Sequence, residues 1–80
     1  MNIRIQIIIA DVPADEYIHK FIEVDHALSD EQIQENVEAY THENIYGYDS
    51  ISIMWDFNKN GKIYFPSGYE VDIQWINLGA

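Results

Sequence analysis

Between Ser29 and Asn44 the chain reads SDEQIQENVEAYTHEN, and this stretch most limits what the rest can fold into. Ile33, Val37 and Tyr40 recur at i, i+4 and i+7, which stacks them on one side of a helix. Ser29 suits an N-cap and Gln32 stands three residues on, the spacing of a capping box. Leu28 and Ile33 have the spacing of a hydrophobic staple, and Asp30 and Glu31 sit in the first turn, where the helix dipole favours acid. Glu31, Glu35, Glu38 and His42 recur on the opposite side. No Lys or Arg occurs in the stretch. The like-charge pairs Glu31–Glu35 and Glu35–Glu38 each cost roughly 0.2–0.5 kcal/mol. A helix selected for stability alone would carry Lys at some of these positions.

One amphipathic helix needs an apolar partner layer, and the flanking segments supply it as strands. In Ile3–Ala10 (IRIQIIIA), Ile3, Ile5, Ile7 and Ile9 point one way and Arg4, Gln6, Ile8 and Ala10 the other. A loop follows from Asp11 to Glu16, where Pro13 has no N–H for a ladder. Tyr17–Asp25 (YIHKFIEVD) fits a strand with Ile18, Ile22 and Val24 on one face. It also fits a helix grouping Ala14, Tyr17, Ile18, Phe21 and Ile22, with Pro13 near its start. The strand is preferred, because the run is short and the loop before it suits a hairpin. Gly47, just past the helix, suits a left-handed backbone.

Ser50–Phe57 alternates, with Ile51, Ile53, Trp55 and Phe57 on one face. Asn60-Gly61 is the expected hairpin turn, with positive φ at both central residues. Lys62–Phe65 returns, Pro66-Ser-Gly68 turns again, and Tyr69–Ile76 places Tyr69, Val71, Ile73 and Trp75 on one face. The expected fold is α+β: a single domain over residues 1–80, two-layer ββαβββ, its antiparallel or mixed sheet covered on one face by one helix. Ile8 and Met54, with some of the tyrosines, then lie on the uncovered face, which makes a homodimer or another binding surface there the expectation.

Charge restricts the partners. Fourteen Asp and Glu against four Lys and Arg give a formal net charge of −10. Such a chain is repelled by nucleic acid and by anionic membranes, and it attracts basic proteins. From Asp11 to Asp49 there are eleven carboxylates, and Lys20 is the one basic residue among them. Without Cys the chain has no disulfide and no thiolate metal ligand. Neither a signal peptide nor a membrane span is expected, and the expected compartment is the cytoplasm, that of a host cell if a phage encodes the chain.

Chemistry is weakly signalled. Glu35, Glu38 and His42 have the helical spacing of a divalent-ion site, but an open, Cys-free Glu/His stripe is more simply a solvated face. His26 beside Asp25 fits the strand–helix junction and His19 the surface of a strand. No GxSxG, P-loop, HExxH or GxGxxG motif is present, so neither an enzyme nor a cofactor is expected. The aromatic residues of the second half stand among acids, unlike a base-stacking surface. Trp55, Phe57 and Trp75 are read as core, and Tyr46, Tyr48 and Tyr64 as candidate interface anchors.

The expected partner-binding residues are Asp30, Glu31, Glu35, Glu38, Glu43, Tyr46 and Tyr48. In size, acidity and its acidic helix the chain resembles small inhibitors of phages and mobile elements: anti-CRISPR proteins, anti-restriction proteins and glycosylase inhibitors. The resemblance implies blocking of a basic nucleic-acid-binding surface, on a nuclease or a CRISPR effector complex, by charge mimicry. It assigns no residue a role. The alternatives are an immunity- or antitoxin-type protein that neutralises a basic toxin, and a homodimeric structural subunit.

Overall fold

A computed structural model describes residues 1–11, 16–47 and 50–80, except for the Asp11 side chain. The expected loop from Asp11 to Glu16 therefore falls mostly outside the described residues, as does Tyr48. The elements are β1 (Asn2–Asp11), β2 (Glu16–Asp25), α1 (Asp30–Tyr40) with a π-helical turn (Thr41–Ile45), β3 (Ser52–Phe57), β4 (Asn60–Tyr64) and β5 (Glu70–Gly79). The five strands form one sheet in the order β2-β1-β5-β4-β3. Every pairing is antiparallel. This is the α+β architecture of one helix on a sheet.

Alternation sets the two faces. Ile5, Ile7 and Ile9 of β1 are fully buried beneath the helix. Across the sheet they meet Ile22, Lys20 and Ile18 of β2 and Asn77, Trp75 and Ile73 of β5. Ile33 and Val37 of α1 close the core from above, with Val71 and Ile63 completing it below. Tyr17–Asp25 is a strand, paired with β1 from Asn2↔Asp25 to Asp11↔Glu16. The pairing explains the preference: Ile18, Ile22 and Val24 can all reach the helix side only with period two. Lys20 shares that side but is exposed. An inward charge on an edge strand hinders pairing with a further chain.

The helix begins as its sequence dictates. The Gln32 N–H donates to Ser29 Oγ at 3.2 Å, and the Ser29 N–H donates to Gln32 Oε1 at 2.9 Å. Ser29→Ala is expected to lower stability by about 1 kcal/mol, or about 4–8 °C in melting temperature for a domain of this size. Thermal unfolding followed by circular dichroism reads this shift, and an unmoved midpoint would remove the cap from the fold's support. At the other end α1 widens into the π-helical turn, closed by Tyr46 N–H donating to Thr41 O at 3.1 Å. Thr41, the one buried polar side chain among the described residues, donates to Val37 O at 2.8 Å. Gly47 follows with φ +68°, the left-handed exit its position predicts.

Two details of the β3–β4 hairpin differ from the expectation. Phe57 pairs with Asn60, so the turn is Asn58-Lys59, with φ of 50° and 66°, and Asn60-Gly61 lies within β4. Two consecutive positive φ values make the two-residue turn that matches strand twist. The register then slips between Trp55 and Phe57. This bulge at Asp56 breaks the alternation, so Phe57 is 73% exposed and not a core residue. Trp55 is half-buried, and Trp75 is fully enclosed as expected.

Candidate partner-binding surface

Helix α1 presents its acids unevenly. Glu31 and Glu35 are exposed, one helical turn apart, and among the described residues neither has an ion pair. Asp30 is also exposed, its carboxylate 3.9 Å from Lys59 Nζ. Such an open pair contributes little to stability. These three carboxylates occupy the N-terminal half of the helix and form the accessible part of the expected site. Glu43 is exposed on the π-helical turn at the far end. There it borders a shallow groove of about 240 Å³ between the helix and β2, with Asn36, Tyr40 and Ile22.

Glu38 stands apart from the outer stripe that its spacing implied. It is half-buried, and its carboxylate accepts the Trp55 indole N–H. One turn earlier, Gln34 Oε1 accepts the Trp75 indole N–H at 3.5 Å. The two tryptophans thus rise from the sheet and bond the same flank of the helix. A buried indole needs an acceptor, and polar residues at i and i+4 beside an apolar stripe were the available signal for these two bonds.

Tyr46 also differs in setting from a free anchor. It is half-buried, edge-on to Phe65 with centroids 5.0 Å apart, and Phe65 in turn meets Tyr69 at 5.4 Å. Tyr48 lies outside the described residues, so its expected role has no geometry here. Tyr64 is 38% exposed on the uncovered side of the sheet.

That uncovered side holds different chemistry. Register places Met54, Lys62, Asp72, Ala10 and Tyr17 in one row across it, and Phe57, Asn60, Gln74, Ile8 and His19 in the next. Lys62 Nζ lies 3.2 Å from Asp72 and 3.3 Å from Glu70. Hydrogen bonds to Asp72 and then Glu70, with their charges, hold the Lys62 ammonium above the ordinary lysine range. The Arg4 guanidinium sits 4.3 Å from the centre of the Phe21 ring. His19 contacts Gln6 at 3.3 Å and stacks on Tyr17 with centroids 6.5 Å apart. His26 belongs to the strand–helix junction, where its Nδ1 contacts Met1 O and lies 3.4 Å from Asp25. Among the described residues no three His, Asp or Glu gather to hold a metal, and Glu38 is turned to Trp55 rather than to His42.

No helix among the described residues is long and apolar enough to cross a membrane. Comparison with protein-family models, with curated proteins and with solved structures finds no match to this chain.

Proposed function

We propose that the chain is a non-enzymatic binding protein. In this reading it inhibits a nuclease or CRISPR effector complex by occupying the basic groove that normally takes nucleic acid. The observation that carries the reading is the exposed pair Glu31 and Glu35, flanked by Asp30 on a helix without a single cation. Carboxylates one turn apart repeat at about 5–6 Å along the helix, a regular row of negative charge for Lys and Arg to read. Arg4 and Lys62 lie on the other side of the sheet, and Lys59 reaches Asp30 alone, so Glu31 and Glu35 have no ion pair among the described residues. Phosphate-binding surfaces are built from Lys and Arg, and such a row competes for them as an anion.

The test uses the double variant Glu31→Lys/Glu35→Lys. Glu38 is left unchanged, since reversing it would remove the Trp55 bond and confound binding with packing. Tagged protein is incubated with bacterial lysate at low and high salt, with and without competing DNA, and retained proteins are identified by mass spectrometry. The expected result is a nucleic-acid-handling protein that salt weakens and DNA displaces. Its purified form should bind the double variant at least about tenfold more weakly, because reversed charges repel in an interface. Equal binding by the double variant overturns the acidic-face reading. A retained basic toxin that DNA does not displace overturns mimicry in favour of immunity.

A further inference from the structure

We infer that the free edge of β2 pairs with β2 of a second copy of this chain, antiparallel and in one register. The pairing joins two five-stranded sheets into one, with both helices on the same side. β2 is ten residues long and lies at the end of the sheet. The opposite edge, β3, has six residues and a bulge at Asp56, which blunts it. The main-chain direction in β2 follows from two hydrogen bonds at the far side of the sheet. Phe65 N–H donates to Tyr69 O at 2.8 Å, and Trp75 N–H donates to Lys59 O. In an antiparallel ladder this direction alternates from one residue to the next. Carried through the registers of β4–β5, β5–β1 and β1–β2, it turns Ile18, Lys20 and Ile22 towards β1. Tyr17, His19, Phe21, Glu23 and Asp25 then aim their N–H and C=O groups off the edge.

Charge selects both the occupant and the register. Residues directly opposite each other share a face of the sheet, so a two-fold axis normal to it passes through a residue. Placed at Phe21, the axis sets Phe21 against itself, His19 against the partner's Glu23 and Tyr17 against the partner's Asp25. Each facing pair exchanges two main-chain hydrogen bonds, about ten in all. His19 Nδ1 already meets Gln6 at 3.3 Å, which leaves Nε2 for the Glu23 carboxylate. Glu23 has Arg4 opposite it on β1 and no ion pair among the described residues. On the helix side Lys20 falls opposite the partner's Ile22, a wall of the groove that Glu43 borders. Its stem lies along Ile22 while its ammonium reaches Glu43. Lys20 is exposed and has no ion pair among the described residues. The inward charge that hinders other strands is thus met by this chain's own groove. An axis at Lys20 would set the two ammonium groups directly against each other, which is unfavourable. An axis at Ile22 would set Phe21 against Glu23 and leave Tyr17 unpaired.

The edge contains neither Glu31 nor Glu35, so its test stands apart from that of the proposed function. The test is sedimentation equilibrium of the full chain from micromolar to millimolar concentration. It is repeated with K20E, with E43K, with an equimolar mixture of the two, and with H19P. The His19 N–H points off the edge, so proline there takes no bond from β1. Circular dichroism checks that each variant folds. The expected result is a concentration-dependent dimer that K20E and E43K each weaken at least about tenfold, since like charges then meet at both symmetric contacts. The mixture should restore it, because the heterodimer pairs opposite charges at both contacts, and H19P should abolish it. The chain has no Cys, so single cysteines report the register. With oxidised glutathione, F21C should close a disulfide across the axis, where facing Cα atoms lie about 5.5 Å apart. Y17C should not, because its two copies lie about 27 Å apart along the seam. A monomer at all concentrations overturns the proposal. So does a dimer that the three substitutions leave unchanged, a mixture that fails to recover, or a chain that Y17C links as readily as F21C.

Discussion

Trp75→Ala is expected to lower stability by about 3–5 kcal/mol, which for 80 residues is a large share of a total of about 4–12 kcal/mol. Trp75 is only 1% exposed and has the largest of the fully buried side chains. It also ties three elements together. Its indole N–H reaches Gln34 on the helix, and its own main-chain N–H donates to Lys59 O in the hairpin turn at 3.1 Å. Lys59 Nζ then lies 4.6 Å from the ring centre and 3.9 Å from Asp30. Truncation therefore empties the core beneath the helix and removes the ring beneath Lys59, while the main-chain bond to the turn remains. Urea unfolding followed by circular dichroism reads the loss. Trp75→Phe separates the causes: it keeps most of the ring, frees Gln34, and should cost less than half as much as alanine. Equal losses for the two variants would assign the effect to the indole bond rather than to the cavity.

The consequence reaches the candidate surface. Asp30, Glu31 and Glu35 are exposed on the helix whose Ile33 and Val37 belong to the same buried core as Trp75. Any variant that lets the helix shift changes where the carboxylates stand. Loss of partner binding is informative only for substitutions such as Glu31→Lys/Glu35→Lys, whose side chains face water.

The parts of this fold that were legible are those where one local pattern had one physical cause. In β1 and β5 strict alternation follows from having a helix above and solvent below, so the faces read directly from Ile5, Ile7, Ile9 and from Val71, Ile73, Trp75. The helix start was equally direct, because the cap is made by residues three apart. Strand order was not legible. The first strand lies between the second and the last, and only long-range packing sets that arrangement. Glu38 misled because periodicity fixes the direction of a Cβ, not where a flexible carboxylate finds a donor; Trp55 supplied one from the sheet. Phe57 misled because a single extra residue at Asp56 reverses everything after it. The turn misled for a further reason. Asn60-Gly61 carries the right residues for positive φ, but the glycine is present for space.

The space that Gly61 leaves can be filled by substitution. Inside a strand an unhindered glycine is replaced by alanine with a gain, since alanine loses less backbone freedom on folding. Gly61 is directly opposite Trp55, and a Cβ there would lie 2.5 Å from Met54 O, 2.8 Å from Trp55 Cε3 and 3.0 Å from Trp55 Cα. Two of these atoms belong to the backbone of β3 and cannot swing aside. Gly61→Ala is therefore expected to destabilise by about 1–3 kcal/mol, the usual cost of overpacking, and Gly61→Val by more. Adding Trp55→Ala removes the ring but not the Met54 carbonyl. The double variant should thus stay less stable than Trp55→Ala alone, as a denaturation cycle on the four proteins would measure. A stabilising Gly61→Ala would mean that β3 does not approach so closely.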